Sequence, residues 1–323
     1  MCGSWRPRSR ALRLAVVSDA ANARMERADF QATSDPALQA GADRGDANLL
    51  SYAELYRLWE RQQWSVQELD FTQDRVDWHE RIPEEERYQR MYGLSSFFIG
   101  EQRVTEELGP MMVASPTEDM RVFLSTQIAD EARHVRFFDR FYSEVGVLDA
   151  ETLDDRLEET SAHLNPAFGT LFDEMLGARV RRLSEDRTDL GALIEAVTLY
   201  HMVIEGMLAL TGQHFIIDFN EREGTLPGFV RGFNFVARDE HRHVAFGARF
   251  LRDVVAEQPR HLKTIQRTLE EALTVADAVL RPPWVEDEDD YEYFGVSLDE
   301  TRAFAAQALT RRLKVIGLAP ATA

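Results

Sequence analysis

Apolar residues recur at helical spacing along most of the chain, and no stretch alternates convincingly in the way a half-buried strand would. Prolines precede or open most of the periodic segments, as at Pro83, Pro116, Pro166 and Pro227. Proline suits the first turn of a helix because its φ is already helical and its missing N–H would have no partner there. The pattern therefore predicts an all-α protein.

These signals predict four long helices that form the core of a bundle, with accessory helices around them. The predicted helices span residues 49–64, 84–110, 116–145, 166–187, 189–213, 228–256, 261–280 and 301–316. The segment 189–213 is apolar nearly all round, which is typical of a helix buried on every side. We therefore expect it at the centre of the bundle.

The composition changes near residue 47 and divides the chain into a leader and one folded domain. Residues 1–46 are rich in Ala, Arg, Asp and Gly without a sustained period, which predicts a disordered leader. The arginines and short apolar run at its start resemble a signal peptide only weakly, because Arg13 interrupts the apolar part. Residues 47–323 are predicted to form a single domain.

Charge and cysteine content narrow the partners and the compartment. The net charge of −19 makes nucleic acid and anionic membranes poor partners. The single cysteine, Cys2, excludes disulfides and cysteine-rich metal sites, which fits a reducing cytoplasm. No continuous apolar run approaches the roughly 20 residues that cross a bilayer. We expect a cytoplasmic protein with no nucleic-acid partner and no transmembrane segment.

An eight-residue motif occurs twice and carries the chemistry of the chain. Residues 130–137 read DEARHVRF and residues 239–246 read DEHRHVAF, and six of the eight positions are identical. Each copy places a Glu and a His three residues apart, about 60° on a helix, so that both side chains project from one face. These residues are Glu131 with His134 and Glu240 with His243.

Each copy follows an apolar helical segment that carries a glutamate within it, Glu101 before the first copy and Glu205 before the second. Glu205 should be buried, since its segment is apolar nearly all round. A buried carboxylate without a partner is costly or takes up a proton, and a divalent cation removes that problem. The order Glu, Glu-x-x-His, Glu, Glu-x-x-His is the ligand set of a two-metal carboxylate site in a four-helix bundle.

Six residues are therefore predicted to hold two metal ions. One metal is assigned Glu101, Glu131 and His134, and the other is assigned Glu205, Glu240 and His243, with Glu131 or Glu240 bridging the two. Four carboxylates and two imidazoles suit iron or manganese better than copper or structural zinc. Such a site can bind dioxygen between reduced metals and cleave it, which gives an oxidant for a C–H or O–H bond.

The aspartate that begins each motif copy is the expected partner of a ligand histidine. A metal-bound His usually donates its other N–H to a carboxylate. A crossed arrangement, Asp239 to His134 and Asp130 to His243, is the hypothesis, and an ordinary exposed helix acid is the alternative for Asp130. His241 lies about 100° from Glu240 on a helix and is not expected to bind metal.

Each feature also has a plain structural explanation. A single Glu-x-x-His is usually an accident of sequence, but here two copies share their flanking residues and each follows a helix that bears a glutamate. The phenylalanines and methionines nearby are better explained by core packing than by a substrate pocket. The duplication is what favours the metal site.

Further stretches resemble the small subunit of ribonucleotide reductase, a member of the ferritin-like superfamily. They are Gln63-Trp64, residues 70–78 (DFTQDRVDW) and Arg238-Asp239-Glu240. The resemblance covers residues 52–318 and implies a ferritin-like four-helix bundle with accessory helices. It also implies an electron relay through Trp64, Asp239 and His134. The expected assembly is a homodimer.

Two departures separate the chain from a working reductase subunit. The family's radical tyrosine lies one turn after the first ligand histidine, and Phe138 occupies that position here. Some reductases carry Phe there and use a manganese–iron site. The family also docks its large subunit through a C-terminal tail that contains a tyrosine, whereas the last tyrosine here is Tyr293, before the last predicted helix.

The chain is more similar to the ligand-binding oxidases, homologues of the reductase small subunit. The similarity lies in residues 100–106 (GEQRVTE) and 198–212 (TLYHMVIEGMLALTG). It implies a Mn/Fe cofactor, with Fe/Fe as the alternative, a bound long-chain fatty acid and a covalent link between Val104 and Tyr200. Helix spacing places Val104 one turn from Glu101. It does not place Tyr200 on the Glu205 face of a regular helix, so only the resemblance supports that residue.

The leading functional prediction is a dioxygen-activating dimetal oxidase that acts on an apolar, fatty-acid-like ligand. The alternatives are a radical-generating reductase subunit and a tailoring oxygenase of the same fold. Iron storage is disfavoured, since storage ferritins are shorter than this chain and lack its extra helices.

Overall fold

The computed structural model describes residues 49–282, 284–285 and 292–318, so the predicted leader at 1–46 lies outside the described residues. The α-helices are α1 Tyr52–Arg61, α2 Thr72–Val76, α3 Glu84–Ala114, α4 Glu118–Val145, α5 Leu153–Ser161, α6 Pro166–Gly169, α7 Gly177–Glu185, α8 Leu190–Val197, α9 Leu210–Glu223, α10 Pro227–Glu257, α11 Leu262–Val279 and α12 Leu298–Ile316. π-Helical segments span Asp77–Arg81, Thr170–Leu176 and Thr198–Ala209, and 3₁₀ turns span Val66–Glu68 and Pro259–His261. The all-α prediction is confirmed.

The ends of several helices differ from the predictions. α4 begins at Glu118, two residues after the predicted start at Pro116, with Thr117 as its N-cap, whose side chain accepts from the Met120 N–H. α3 continues through Pro110 to Ala114. Leu108 and Met111 on either side of that proline are fully buried, and their burial offsets the hydrogen bond that the proline removes.

The sequence analysis predicted neither α5 nor the hairpin near the C-terminal helix. The short helix α5 begins with a capping box at Thr152, in a stretch for which no helix was predicted. The strands β1 Glu292–Tyr293 and β2 Val296–Ser297 form an antiparallel hairpin, although no strand was expected. Phe294 and Gly295 form its turn with positive φ, the backbone that two-residue hairpins require.

The core of the bundle consists of α3, α4, α10 and a continuous helical stretch over Leu190–Glu223 that joins α8, the π-helical segment and α9. This stretch is long and apolar enough to cross a membrane, but 94% of its most apolar window is buried within the protein. It is therefore the central helix of the bundle, as its apolar character predicted.

The segment over residues 70–77 fixes the beginning of α10. Asp74 accepts hydrogen bonds from the N–H groups of Gly228 (2.8 Å) and Phe229 (2.6 Å), which are free donors in a first helical turn. A Cβ at Gly228 would lie 2.2 Å from the carbonyl oxygen of Asp70. The backbones can approach this closely only because residue 228 is a glycine, and the contact sets the position of α10.

Candidate metal centre

The six predicted ligands converge at the centre of the bundle. α3 carries Glu101, α4 carries Glu131 and His134, the π-helical segment carries Glu205, and α10 carries Glu240 and His243. All six are buried, and Glu101 is the most accessible at 6% exposed. Four different helical elements thus bring ionisable side chains to one interior point.

Each histidine turns its Nδ1 atom toward carboxylates. His134 Nδ1 lies 3.2 Å from Glu101, 3.3 Å from Glu131 and 3.6 Å from Glu240. His243 Nδ1 lies 3.2 Å from Glu131, 3.3 Å from Glu205 and 3.9 Å from Glu240. The two clusters therefore share Glu131 and Glu240.

The donor atoms fall into two groups that could each hold a metal ion. Within each group the candidate ligand atoms lie within 4.8 Å of one another. The groups are Glu101, Glu131, His134 and Glu240, and Glu131, Glu205, Glu240 and His243. Both motif glutamates belong to both groups, so two shared carboxylates replace the single bridge considered from the sequence.

Several donor atoms at this centre are buried without a hydrogen-bond partner among the described residues. They are Oε2 of Glu131, Glu205 and Glu240, and Nδ1 of His243. Buried polar atoms are normally satisfied, and an unpaired one is costly. Oxygen and imidazole donors left open in this way fit a pair of iron or manganese ions.

The raised pKa values of two glutamates show that their charged forms are unfavourable when no cation is bound. Burial raises the pKa of Glu101 to about 8, despite the opposing effect of His134. Burial and the neighbouring carboxylates of Glu205 and Glu131 raise the pKa of Glu240 well above its ordinary value. Metal ions would replace the protons that these carboxylates otherwise retain.

The Nε2 atom of each ligand histidine lies next to the aspartate of the other motif copy. His134 Nε2 lies 3.4 Å from Asp239, and His243 Nε2 lies 3.3 Å from Asp130. Asp130 is completely buried, which excludes the exposed helix acid considered for it. With Nε2 bound to a carboxylate, each imidazole presents Nδ1 to the metal.

Trp64 extends the series of side-chain contacts that begins with His134 and Asp239. Its indole N–H donates to Asp239 Oδ2 at 2.7 Å, and its ring stacks 6.4 Å from the His134 ring. The structure thus brings together the three residues of the expected relay. A second tryptophan, Trp59, donates to Asp130 Oδ1 at 2.9 Å and makes the same connection to His243.

The arginine of each motif copy braces both aspartates. Arg242 donates to Asp130 at 2.9 Å and to Asp239 at 2.7 Å. Arg133 lies 3.2 Å from Asp130 and 3.4 Å from Asp239. Sequence analysis did not assign these arginines, although their equal position in the two copies was the available signal.

Tyr200 lies at the metal centre because the helix that carries it is π-helical. A π-helix closes i→i+5 hydrogen bonds, so residues five apart, such as Tyr200 and Glu205, come onto one face. The Tyr200 hydroxyl donates to Glu131 at 2.8 Å. Burial, together with the charges of Glu131 and Glu205, raises the pKa of Tyr200 well above its ordinary value, so the phenol is protonated.

A cavity extends from the carboxylates to the hairpin. It is lined near the centre by Glu101, Val104, Tyr200 and Glu240, and its walls are almost entirely apolar. Its remaining lining residues include Tyr92, Phe97, Phe168, Phe172, Leu208, Phe215, Ile216, Leu280, Phe294 and Val296. Phe97, one of the residues attributed to core packing, thus lines a pocket, which the sequence alone favoured less.

Two other residues lie where the sequence led us to expect. His241 is turned away from the centre, with Nδ1 2.6 Å from the carbonyl oxygen of Ala237. Phe138 is fully buried among the rings of Phe97, Phe98 and Phe233. The position one turn after the first ligand histidine therefore holds no phenol.

The fold and the site define a class, the ferritin-like proteins with a dinuclear carboxylate centre. The sequence model of the ribonucleotide reductase small chain matches residues 48–321, nearly the whole folded part. The chain belongs to this family.

Among solved structures, the chain is similar to R2-like ligand-binding oxidases. A tyrosine-to-phenylalanine variant with an aerobically reconstituted Mn/Fe cofactor is 26% identical, with a TM-score of 0.72, over 82% of this chain and 93% of that one. A valine-to-isoleucine variant with an anaerobically reconstituted Mn/Fe cofactor is 26% identical, with a TM-score of 0.73, over 83% and 94%. A glycine-to-leucine variant with a non-activated Mn/Mn cofactor is 25% identical, with a TM-score of 0.71, over 82% and 93%.

The family and these relatives identify the protein as a dimetal-carboxylate oxidoreductase with the fold of the R2-like ligand-binding oxidases. Two of the three relatives carry Mn/Fe, and the buried carboxylate and histidine cluster of this chain can hold metal ions.

Proposed function

We propose that the protein is a ligand-binding oxidase that reduces dioxygen at a Mn/Fe centre, or at Fe/Fe, and holds a long-chain fatty-acid-like molecule in the cavity. The observation that carries this proposal is the place of Tyr200. Its phenol is hydrogen-bonded to the shared ligand Glu131 and lines the same cavity as Val104. Metal ions bound there would supply electrons for the reduction of dioxygen.

The cavity favours an amphiphile with one acidic end. Its inner end is formed by four glutamates, which metal cations would neutralise and make attractive to an acid group. From there the walls are apolar up to Phe294 and Val296 of the hairpin. An unbranched hydrocarbon chain can fill such a channel without leaving a polar group unpaired.

Val104 and Tyr200 are the residues we propose to become covalently joined. Val104 is 4% exposed and lies one helical turn from Glu101. Its branched Cβ loses a hydrogen, the Tyr200 hydroxyl loses its proton, and a Cβ–Oη ether bond forms. The link releases two protons and two electrons. Reduction of dioxygen to two molecules of water would consume these two electrons and two protons, together with two electrons from the metal ions and two protons from solvent.

Peptide mapping after aerobic reconstitution with iron and manganese tests this reaction. The peptides that contain Val104 and Tyr200 should appear joined, with a mass two hydrogens below their sum. Protein reconstituted without oxygen and the Tyr200→Phe variant should give separate peptides. Separate peptides from metal-loaded, oxygen-treated wild-type protein would contradict the link.

The ligand requires a separate measurement. Purified protein, denatured and extracted with organic solvent, should release about one long-chain acid per metal-loaded chain. Narrowing the channel with Ala209→Phe should reduce this amount without a change in bound metal, because Ala209 lines the cavity but is not a proposed ligand. Equal amounts of long-chain acid from wild type and Ala209→Phe would contradict the assignment of this cavity as the ligand site.

The connection of Trp64 to His134 through Asp239 favours a radical-generating reductase subunit as the second candidate. Such a subunit would support nucleotide reduction when mixed with a reductase large subunit. Nucleotide reduction in that assay would identify the radical-generating subunit, and its absence would favour the oxidase.

A further inference from the structure

Gln127 occupies the space between Tyr200 and the carboxylates, although no motif in the sequence points to it. It lies on α4, one turn before Glu131, and its side chain is completely buried. Its Nε2 atom lies 3.0 Å from Glu205, 3.1 Å from the Tyr200 hydroxyl and 3.3 Å from Glu131. One amide nitrogen thus contacts three oxygen atoms of the centre.

The chemistry of these neighbours determines which way the amide points. Two of the three oxygens belong to carboxylates, which accept hydrogen bonds, so the NH₂ group must face them. The Gln127 oxygen lies 3.1 Å from Nε2 of His201, on the opposite side. Burial lowers the pKa of His201 to about 3, so this imidazole is neutral and has one N–H to donate. In the tautomer with its proton on Nε2, His201 donates to the Gln127 oxygen and holds the amide in this orientation.

We propose that Gln127 is the positioning residue that orients the Tyr200 oxygen for bonding to Val104. This inference rests on the proposed link between those two residues. The phenol donates a hydrogen bond to Glu131 and accepts one from Gln127, and the two bonds together hold the oxygen in place. One lone pair of the oxygen remains free for a new bond to carbon.

The Gln127 contact can also persist through the reaction. An ether oxygen has no proton, so the hydrogen bond from Tyr200 to Glu131 ends when the link forms. An ether oxygen still accepts, so Gln127 can donate to it before and after the reaction. A fixed donor of this kind needs no rearrangement during the bond-forming step.

The test compares three variants after aerobic reconstitution with iron and manganese. Gln127→Met keeps the length of the side chain and removes both polar groups, and Gln127→Glu keeps the shape and removes the NH₂ donors. Thr126→Val is the control, because this neighbouring buried residue bonds only to the carbonyl oxygen of Phe123. Three quantities are measured for each variant. They are the bound metal, the rate at which the centre is oxidised, followed by absorbance, and the linked fraction, which is the fraction of chains with Val104 joined to Tyr200.

We expect both Gln127 variants to bind and oxidise metal but to lose about tenfold or more of the linked fraction per metal-loaded chain, since misplaced reacting atoms cost roughly this much or more. Thr126→Val should link normally. A linked fraction in Gln127→Met equal to that of wild type would overturn the proposal. So would losses of metal, oxidation and link in equal proportion, because they indicate a purely structural role. A wild type that never links contradicts the proposed link itself, which is a different result.

A second measurement needs neither metal nor the link. In metal-free protein labelled with ¹⁵N-glutamine, the Gln127 side-chain NH₂ resonances, assigned from their absence in Gln127→Met, should exchange slowly with solvent. They should shift in Tyr200→Phe, which removes the phenol oxygen that accepts from Gln127. Fast exchange, or resonances that do not respond to Tyr200→Phe, would overturn the positioning role.

Discussion

Gly247 allows α10 to pass close to the π-helical segment, and Gly247→Ala should disturb both stability and the metal centre. A Cβ at this position would lie 2.2 Å from Cβ and 2.7 Å from Cγ of His201. Carbon atoms that are not bonded prefer about 3.5–4.0 Å. The new methyl group therefore requires the two helices to separate by about 1 Å or more.

The cost of that separation follows from the packing of the core. Extra methyl groups in a well-packed interior usually cost about 1–3 kcal/mol. In a domain of this size, each kcal/mol lowers the melting temperature by roughly 2–4 °C. The separation also moves α10, which carries Glu240 and His243, away from the segment that carries Glu205. We therefore expect weaker metal binding as well as a lower melting temperature.

Thermal unfolding and elemental analysis, measured on purified Gly247→Ala, check this expectation. Gly169→Ala is the matched control, because its added Cβ would meet nothing nearer than Asp173 Oδ2 at 3.7 Å. Gly169 has a helical backbone, so alanine there should stabilise the protein by about 0.5–1 kcal/mol. Wild-type melting temperature and metal content in Gly247→Ala would refute the reasoning.

Two further predictions concern charged groups at the centre. Glu131→Ala and Glu240→Ala should each lower the metal content at both sites by elemental analysis, because each carboxylate belongs to both groups of donors. Glu106→Ala, at an exposed position, should retain the wild-type metal content. Unchanged metal stoichiometry in both Glu131→Ala and Glu240→Ala would rule out the ligand assignment. Burial lowers the pKa of His201 from 6.5 to about 3, so between these pH values the unfolded chain binds a proton that the folded chain does not, and stability falls as the pH decreases. In urea unfolding of metal-free protein, the free energy of unfolding should fall by about 2 kcal/mol less between pH 7 and pH 5 for His201→Phe than for wild type. An equal fall in both proteins would count against a neutral buried His201.

The sequence by itself determined the helical class and predicted the six candidate ligands. Helical periodicity is a local property, so the spacing of Glu131 and His134 already places both on one face. The buried charge of Glu205 could be inferred in the same way from its apolar segment. The end of α3 beyond Pro110 was less predictable, because burial of Leu108 and Met111 overrides the local signal of the proline.

Only the tertiary structure decided how the centre is completed. Tyr200 reaches Glu131 because the helix widens into a π-helix, and the spacing of a regular helix had pointed it elsewhere. Gln127, Trp59 and the two bracing arginines contact residues 71 to 180 positions away along the chain. Such contacts depend on how the helices pack against one another. A single sequence carries the local periodicity of each helix, but it does not state which faces meet.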